Sequence, residues 1–543
     1  MAVSVPDRFN ATSYFVDRHL SEGRGDKVAI ECGDVCVTYR QLHHSVNQVG
    51  HAFREGLGVR PEERILLLLL DTPEFFYSFF GAIKIGAVPV PISTLWKAAD
   101  YEYVLNDSRA RVVIVSGPLL HNIQGILGDR APYVRHVVVV GEPAAADAIT
   151  SAGPRTRQHS FDSLLKIAAP VFEAQQTSCD DTAFWLYSSG STGPPKGCVH
   201  LQHDMVVCTE LYARQTLRMV QEDRCFSVAK LFFAYGLGNG MYFPLGLGAT
   251  TILWPGPPTA ANVYRVIERH RPTLFFSVPT NYGMLLAHRD EGREFDLSSV
   301  RHAVSAGEAL PPALFERFKQ RFDVEILDGI GSTEVLHIFI SNRPGATRPG
   351  SSGELVDGYE ARLVDEDQRP VARGEIGNLL IKGDSTCAYY WNKHQKTKDT
   401  IEGAWIRTGD KYHQDADGYF WFAGRADDML KVGGIWVSPF EVENVLLEYP
   451  DVLECGVASR TDHDGLVKPF AFVVVRDGIV PGPNLERDLQ QFVRTKLAEY
   501  KRPRWIAFLG ELPKTATGKI QRYKLRETAA AYAGQPDGTI RGN

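Results

Sequence analysis

The chain has 543 residues and is too long for a single hydrophobic core. Its residues are 44% hydrophobic and 23% charged, a composition typical of globular proteins. Its 59 basic and 65 acidic residues give a net charge of −6, which offers no basic footprint for nucleic acid or for an anionic membrane surface. The eight cysteines are scattered without metal-site spacing and no secretory leader is visible, so we expect reduced thiols and a cytoplasmic location.

The first part of the chain alternates between strand and helix patterns. Short apolar runs at 27–32, 64–70 and 110–117 are separated by a helical pattern at 40–57 and a longer apolar stretch at 75–92. This rhythm predicts βαβ units around a largely parallel sheet. The most apolar run, within 64–70, fits a buried strand and is too short to cross a bilayer.

A second set of strand patterns follows at 249–256, 272–280, 300–310 and 324–334, so we predict two βαβ sheet subdomains. From about residue 353 the pattern changes to short alternating strands with Gly and Asp turns. That change indicates a small β-barrel-like unit.

The last hundred or so residues predict a separate small α/β domain. Ser438 and Pro439 have the cap and first-turn chemistry of a helix start. Strand patterns at 453–459 and 469–476 precede a helical pattern at 484–500. The expected fold is therefore α/β, with a large N-terminal domain (1–426) and a small C-terminal domain (427–543).

The segment most informative about chemistry reads YSSGSTGPPKG, residues 187–197, and follows a strand pattern at 181–188. A surface turn is the alternative, but two prolines and a closing lysine weaken it. The Walker pattern does not fit, which disfavours an ordinary P-loop NTPase. Backbone N–H and hydroxyl donors of such a loop converge on phosphate oxygens. The predicted phosphate-binding residues are Ser188, Ser189, Gly190, Ser191, Thr192, Gly193 and Lys196.

This loop resembles the phosphate-loop motif of the adenylate-forming superfamily, which contains acyl-CoA synthetases, luciferases and nonribosomal-peptide adenylation domains. Residues 328–334, DGIGSTE, resemble the motif in which Thr333 would contact phosphate and Glu334 would ligate Mg²⁺. Without the resemblance, this segment reads as a helix N-cap. Ile330 stands where an aromatic residue is usual beside adenine. The resemblance implies that the nucleotide is lined by Asp328, Gly329, Ile330, Gly307 and Glu308.

Three more motifs follow in the order of that superfamily. In RTGD, Asp410 would accept hydrogen bonds from the ribose hydroxyls, since a carboxylate offers two acceptor oxygens. In GRADD, Arg425 would lie near the ribose and Asp427 would be the hinge of a mobile C-terminal domain. The resemblance implies that Lys519 acts in adenylation and that Lys431 acts in thioester formation. On composition alone both are surface lysines.

Residues 229–240 and 335–342 resemble segments of benzoate-CoA ligases and other aryl-acid ligases. A flat slot bounded by Ala and Gly accepts a planar ring. Asn281 replaces an apolar residue, which suggests a larger or more polar acid, and Gly433 stands where serine is common. The acyl pocket implied by the resemblance consists of Ala234, Tyr235, Gly236, His337 and Ile338.

The resemblance, which covers essentially the whole chain, implies an ATP- and Mg²⁺-dependent acid–CoA ligase that forms an acyl-adenylate and then a CoA thioester. A separate acyl carrier protein as acceptor and an enzyme of only one half-reaction are the alternatives; a second copy of the chain is a further candidate partner. A nicotinamide oxidoreductase using 236–238 lacks the third glycine and the acidic residue it needs. A non-catalytic acyl-adenylate binder is disfavoured because both Lys431 and Lys519 are present.

Overall fold

The structure is a computed structural model, and it describes residues 3–142, 156–188, 194–290, 294–432, 435–463, 465–514 and 520–532. Strands and helices are numbered in chain order. The strands up to residue 355 are β1 (Val28–Cys32), β2 (Val35–Thr38), β3 (Arg64–Leu68), β4 (Val88–Pro91), β5 (Val112–Ser116), β6 (His136–Val140), β7 (Arg157–Ser160), β8 (Thr182–Ser188), β9 (Lys196–Leu201), β10 (Arg224–Ser227), β11 (Thr250–Leu253), β12 (Leu274–Ser277), β13 (His302–Ser305), β14 (Ile326–Gly331), β15 (Ile338–Ser341) and β16 (Glu354–Leu355).

The remaining strands are β17 (Glu360–Val364), β18 (Gly377–Lys382), β19 (Tyr389–Tyr390), β20 (Ile401–Glu402), β21 (Trp405–Gln414), β22 (Phe420–Arg425), β23 (Leu430–Val432), β24 (Ile435–Val437), β25 (Val452–Thr461), β26 (Val467–Val475) and β27 (Trp505–Phe508). The α-helices are α1 (Arg18–Ser21), α2 (Tyr39–His51), α3 (Pro73–Lys84), α4 (Ala98–Ser108), α5 (His121–Gln124), α6 (Phe161–Lys166), α7 (Asp204–Cys208), α8 (Ala234–Leu237), α9 (Phe243–Leu247), α10 (Ala260–His270), α11 (Pro279–Ala287), α12 (Pro312–Phe322), α13 (His394–Thr400), α14 (Pro439–Leu447), α15 (Pro483–Lys496) and α16 (Arg522–Ala531).

A five-stranded parallel sheet, in the order β4-β3-β5-β6-β7, confirms the predicted βαβ pattern. β3 is buried on both faces over Ile65–Leu68, as expected for a strand of a parallel sheet covered by helices. The apolar stretch 75–92 divides into α3 and β4 at a turn where Gly86 has φ +74°. Helices α2 and α3 meet closely, since a Cβ on Gly81 would lie 2.6 Å from the Val49 side chain.

The second α/β sheet has nine strands, in the order β16-β15-β14-β13-β12-β10-β11-β1-β2. Its central ladders are parallel and its edges antiparallel. The strand predicted at 27–32 forms, but it joins this sheet rather than the first one, because β1 pairs with β11 through Ile30 and Thr251. β1 thus pairs with a strand that lies more than 200 residues away along the chain.

The strand predicted at 181–188 is β8, and it forms an antiparallel hairpin with β9. The short strand β19 pairs with the other edge of β9, so the three make a small antiparallel sheet. The phosphate-loop motif lies between β8 and β9. The loop therefore joins two antiparallel strands.

The β-rich unit after residue 353 is a five-stranded antiparallel sheet, β17-β18-β21-β20, with β22 paired to β21. Within the described strands this ladder runs as an open sheet. It places β21 and β22 side by side. Each carries one of the two predicted ribose-binding residues.

The C-terminal part has a sheet of β25, β26 and β27 with its own buried clusters, packed against α14, α15 and α16. The helix start predicted at Ser438 is confirmed, because its Oγ accepts a hydrogen bond from the Glu441 N–H at 3.2 Å and Pro439 is the first helical residue. The fold is thus a large N-terminal domain with several sheets and a smaller C-terminal α/β domain. Across the described residues, no helix combines the length and apolar character that a membrane span requires.

Candidate active site

The hairpin that flanks the phosphate-loop motif brings Ser188 to the acidic residue predicted to ligate metal. Ser188 Oγ, at the end of β8, donates to Glu334 Oε1 at 3.4 Å. Lys196, at the start of β9, has its Nζ 4.8 Å from the centre of the Tyr390 ring. The other predicted loop residues lie outside the described part of the chain: Ser189, Gly190, Ser191, Thr192 and Gly193.

Thr333 and Glu334 lie on a single 3₁₀ turn, Thr333–Val335, directly after β14. Ser332 caps this turn, since its Oγ accepts a hydrogen bond from the Val335 N–H at 3.3 Å. The N-cap reading of this segment is therefore correct as local structure. The cap stabilises the backbone of the turn that carries Thr333 and Glu334.

The carboxyl of Glu334 is half-buried and is oriented by hydroxyls. Tyr390 OH donates to its Oε1 at 2.7 Å, at the same oxygen as Ser188. Its Oε2 receives no hydrogen bond from the residues that the structure describes. A carboxylate oxygen is a ligand that Mg²⁺ prefers, so the residues present fit the predicted metal.

Asp328, in β14, is buried in a setting that changes its protonation. Burial raises the pKa of this carboxyl to about 8, although the nearby Ser305 hydroxyl favours the charged form. The carboxyl is therefore mainly protonated at pH 7. Its Oδ1 is buried and has no hydrogen-bond partner among the described residues.

The two neighbours of Asp328 are shaped by the edge of the sheet. A Cβ on Gly329 would lie 2.8 Å from the Ile340 carbonyl oxygen on β15, so only glycine fits there. Ile330 is half-buried and pairs with Ile340. The predicted second wall lies in the turn after β13, where Gly307 has φ +90° and Glu308 accepts from Thr280 Oγ1 at 3.4 Å.

Asp410 and Arg425 are directly paired across β21 and β22. The Arg425 Nη1 donates to Asp410 Oδ1 at 2.9 Å and to the Thr408 carbonyl at 3.2 Å. The structure thus joins the two predicted ribose residues, which the sequence separates by 15 positions. Gly409, with φ +77°, lets the backbone turn beneath the guanidinium.

The predicted acyl-pocket residues come together around His337. The rings of Tyr235 and His337 lie 5.7 Å apart, and His337 Nε2 is 3.3 Å from the Tyr235 carbonyl, which requires an N–H on Nε2. Burial lowers the pKa of His337 to about 3, so the ring is neutral. A Cβ on Gly236 would lie 2.1 Å from the Lys230 carbonyl, so this bend needs glycine. Ala234, which is half-buried, precedes Tyr235 in the chain, and Ile338, which is buried, follows His337.

Asn281 has a structural role that the sequence did not indicate. Its Oδ1 accepts from Ser277 Oγ at 2.9 Å, and its Nδ2 donates to the Pro258 carbonyl at 3.1 Å. Both ends of the amide are therefore engaged within the chain. The presence of Asn281 gives no support for a more polar acid.

The predicted hinge lies between β22 and β23 on the exposed surface. The Asp427 carbonyl accepts from Arg526 Nη1 of α16 at 3.4 Å. Lys431, on β23, is exposed, and its Nζ is 5.4 Å from the Trp436 ring in the same hairpin. Lys519 and Gly433 lie outside the described residues. The described contacts do not bring Lys431 to the nucleotide residues.

Sequence reasoning missed two residues at this site, His200 on β9 and Tyr390 on β19. His200 Nε2 lies 2.8 Å from the Thr333 carbonyl, and Tyr390 bonds Glu334 as described. His200 lies on a strand and Asp204 at the start of the next helix, so their spacing of four residues gave no signal of a contact. Nothing in the sequence linked Tyr390 to Glu334.

Comparison with known proteins identifies the family. The AMP-binding enzyme family matches residues 17–391, and the AMP-binding enzyme C-terminal domain matches residues 441–519. A benzoate–CoA ligase of Thauera aromatica is 48% identical over 526 residues, which cover 97% of each chain. A 4-hydroxybenzoate–CoA/benzoate–CoA ligase of Rhodopseudomonas palustris is 44% identical, covering 96% of this chain and 94% of that relative.

Two solved structures share this fold at high similarity. An anthranilate CoA ligase in complex with anthranoyl-AMP has a TM-score of 0.90 and 46% identity, covering 97% of this chain and 98% of that one. A benzoate CoA ligase from Burkholderia xenovorans has a TM-score of 0.85 and 45% identity, covering 95% of this chain and all of that one. The chain belongs to the AMP-binding enzyme family of adenylate-forming acyl-CoA synthetases.

Proposed function

We propose that this protein is an aryl-acid–CoA ligase that works through an acyl-adenylate. The observation that carries the proposal is the Ser188–Glu334 contact, which places the phosphate-loop hairpin against the predicted metal ligand. The near full-length similarity to benzoate–CoA ligases supports the same reaction and an aryl acid as substrate.

In the first half-reaction, a carboxylate oxygen of the acid attacks the α-phosphorus of ATP, and the bond from that phosphorus to the bridging oxygen breaks. Pyrophosphate leaves and an acyl-AMP remains. Two anions must meet in this step, so the site must offset the charge of the phosphates. The hydroxyl of Thr333 and the ammonium of Lys196 are the donors that we assign to the phosphates.

Mg²⁺ would be held by the Glu334 carboxylate, and when bound it neutralises charge on the phosphate oxygens. Asp410, oriented by Arg425, would accept hydrogen bonds from the ribose hydroxyls. The protonated carboxyl of Asp328 and the backbone near Gly329 and Ile330 would line the base, with the turn of Gly307 and Glu308 opposite.

The acid would lie beside Tyr235 and His337, bounded by Ala234, Gly236 and Ile338. Because His337 is neutral and buried, this pocket favours an uncharged ring. The Tyr235 hydroxyl lies 3.2 and 3.1 Å from the Ser277 and Val304 carbonyl oxygens, which share its one proton and hold the ring in place. We propose that a planar aryl acid such as benzoate lies against this fixed ring.

In the second half-reaction, the CoA thiol gives up its proton, its sulfur attacks the acyl carbon, and AMP leaves. We assign Lys519 to the first half-reaction and Lys431 to the second, with a rotation of the C-terminal domain about Asp427 between them. CoA is the acceptor in this proposal, and a carrier protein is the competing acceptor.

The experiment measures pyrophosphate and AMP release with purified protein, ATP and Mg²⁺ across benzoate, hydroxybenzoates, anthranilate, cyclohexanecarboxylate and octanoate, with and without CoA. We expect benzoyl-CoA, AMP and pyrophosphate in equal amounts. Formation of ADP and phosphate would refute the adenylate route. Turnover of octanoate but of no aryl acid would refute the assigned pocket.

A further inference from the structure

We propose that His200 and Tyr390 are positioning residues that hold the Thr333–Glu334 turn against the phosphate-loop hairpin and thereby set the affinity for the metal–ATP complex. The proposal rests on the proposed roles of Thr333 and Glu334. Both positioning residues lie on the small sheet of β8, β9 and β19.

His200 holds the backbone of the turn. It is fully buried in β9, and its Nε2 is 2.8 Å from the Thr333 carbonyl oxygen. A carbonyl only accepts hydrogen bonds, so Nε2 carries the proton. The other ring nitrogen is 2.8 Å from Asp204 Oδ2, a contact that needs a second proton between these two atoms, and the same carboxyl oxygen accepts from the Leu201 N–H at 3.1 Å. Asp204 therefore fixes the orientation of the ring.

Tyr390 holds the side chain of the turn. It is buried, and it pairs with Cys198 of β9 across the sheet. Its hydroxyl donates to Glu334 Oε1 at 2.7 Å, and within the described residues Oε2 is left without a donor. One carboxylate oxygen is thus anchored, and the other would be the oxygen that ligates the metal. The ring also lies 4.8 Å from Lys196 Nζ, so one residue contacts the loop and the metal ligand.

The turn needs such anchors because its backbone is unusual. Leu336 ends it with φ +70° and ψ −44°, a conformation that a leucine adopts only when its surroundings impose it. The backbone carbonyls of Thr333, Glu334 and Val335 each accept a hydrogen bond from another part of the chain. Glu334 O accepts from the Cys387 N–H at 2.7 Å and Val335 O from Ser385 Oγ at 2.8 Å, beside the His200 bond to Thr333 O.

A merely structural role predicts lower stability and equal losses in every ligand interaction. A positioning role predicts a selective loss at the metal. Hydrogen bonds to groups that orient a metal ligand typically change metal affinity by about 10- to 100-fold when removed. Loss of the Tyr390 hydroxyl acts on Glu334, which is assigned to the metal and not to the phosphates, so binding of the nucleotide without metal should be unaffected in that variant.

The test is Mn²⁺ binding, followed by electron paramagnetic resonance with ATP present and without acid or CoA, so that no turnover occurs. Tyr390→Phe removes one hydroxyl and keeps the ring. Tyr389→Phe is the matched control, since Tyr389 is its exposed neighbour on β19. We expect Tyr390→Phe to weaken Mn²⁺ binding about tenfold, with metal-free ATP affinity and the melting temperature as in Tyr389→Phe.

His200→Leu should weaken Mn²⁺ binding in the same way, and His200→Gln should restore part of it because its amide can donate to the Thr333 carbonyl. Unchanged Mn²⁺ affinity in Tyr390→Phe would overturn the proposal, whatever the behaviour of His200 variants. Glu334→Gln separates this from failure of the proposed function: if it leaves Mn²⁺ binding intact, the metal assignment itself is wrong.

Discussion

Gly238 lies against the His337 ring, so replacing it by alanine tests the location of the acyl pocket. A Cβ at this position would lie 2.5 Å from His337 Cδ2, 2.7 Å from its Nε2 and 2.9 Å from the Tyr242 hydroxyl. Gly238 has φ −66°, so alanine meets no backbone strain. Ordinary contact distances are about 3.5–4.0 Å, so the ring must withdraw by about 1 Å.

That displacement sets the expected magnitude. Overpacking of a rigid site costs about 1–3 kcal/mol, and a 1 Å misplacement can cost about 100-fold in rate. We therefore expect Gly238→Ala to lower kcat/KM for benzoate by about 10- to 100-fold, with KM for ATP changed less than about twofold. Steady-state pyrophosphate release measures both values.

Gly240→Ala is the matched control in the same π-helical segment, Gly238–Tyr242. Its Cβ would meet only Leu231 Cδ2 at 3.0 Å and Ser227 Cβ at 3.8 Å, away from His337. Benzoate kinetics should stay close to those of the parent protein. If Gly238→Ala lowers stability but leaves the kcat/KM for benzoate unchanged, His337 does not line the acyl pocket. Equal losses for ATP and benzoate would point to a general disturbance instead.

Three further outcomes are expected. Lys519→Ala should suppress benzoyl-AMP formation and spare thioester formation from supplied benzoyl-AMP, whereas Lys431→Ala should do the reverse in single-turnover assays; equal losses in both steps would contradict this division. Arg522→Met should destabilise the C-terminal domain by about 3–5 kcal/mol in urea unfolding, because it leaves Glu443, its buried partner at 2.8 Å, uncompensated; a change below about 1 kcal/mol would contradict it. The pKa of His337 is about 3 when folded and about 6.5 when unfolded, so the unfolded chain takes up the proton first and stability falls as pH drops from about 6.5 towards 3. His337→Gln should flatten this slope in thermal unfolding, and an unchanged slope would show that the histidine is not buried as described.

The fold was predictable where the pattern of burial is local. The apolar run that became β3 and the helix start at Ser438 both follow from the residues themselves. The partner of β1 was not predictable in this way. Its pairing with β11 joins residues more than 200 positions apart, and neither strand carries a residue that selects the other. Short strands with buried faces are interchangeable by composition, so sheet membership is decided by packing of the whole domain.

The candidate site likewise contains residues that the sequence predicted and residues that it did not. Glu334 and Asp410 were predicted because each belongs to a short sequence motif that can be recognised from neighbouring residues alone. His200 and Tyr390 escaped because their bonds depend on separations of 133 and 56 residues, and because His200 contacts a backbone carbonyl that every residue type possesses. Because every residue type has a backbone carbonyl, the sequence does not show which carbonyl accepts a hydrogen bond. Residues that contact the predicted metal ligand can therefore be recognised only once the hairpin and the turn are seen together, and the Mn²⁺ affinity of Tyr390→Phe is the measurement that distinguishes orientation of Glu334 from packing.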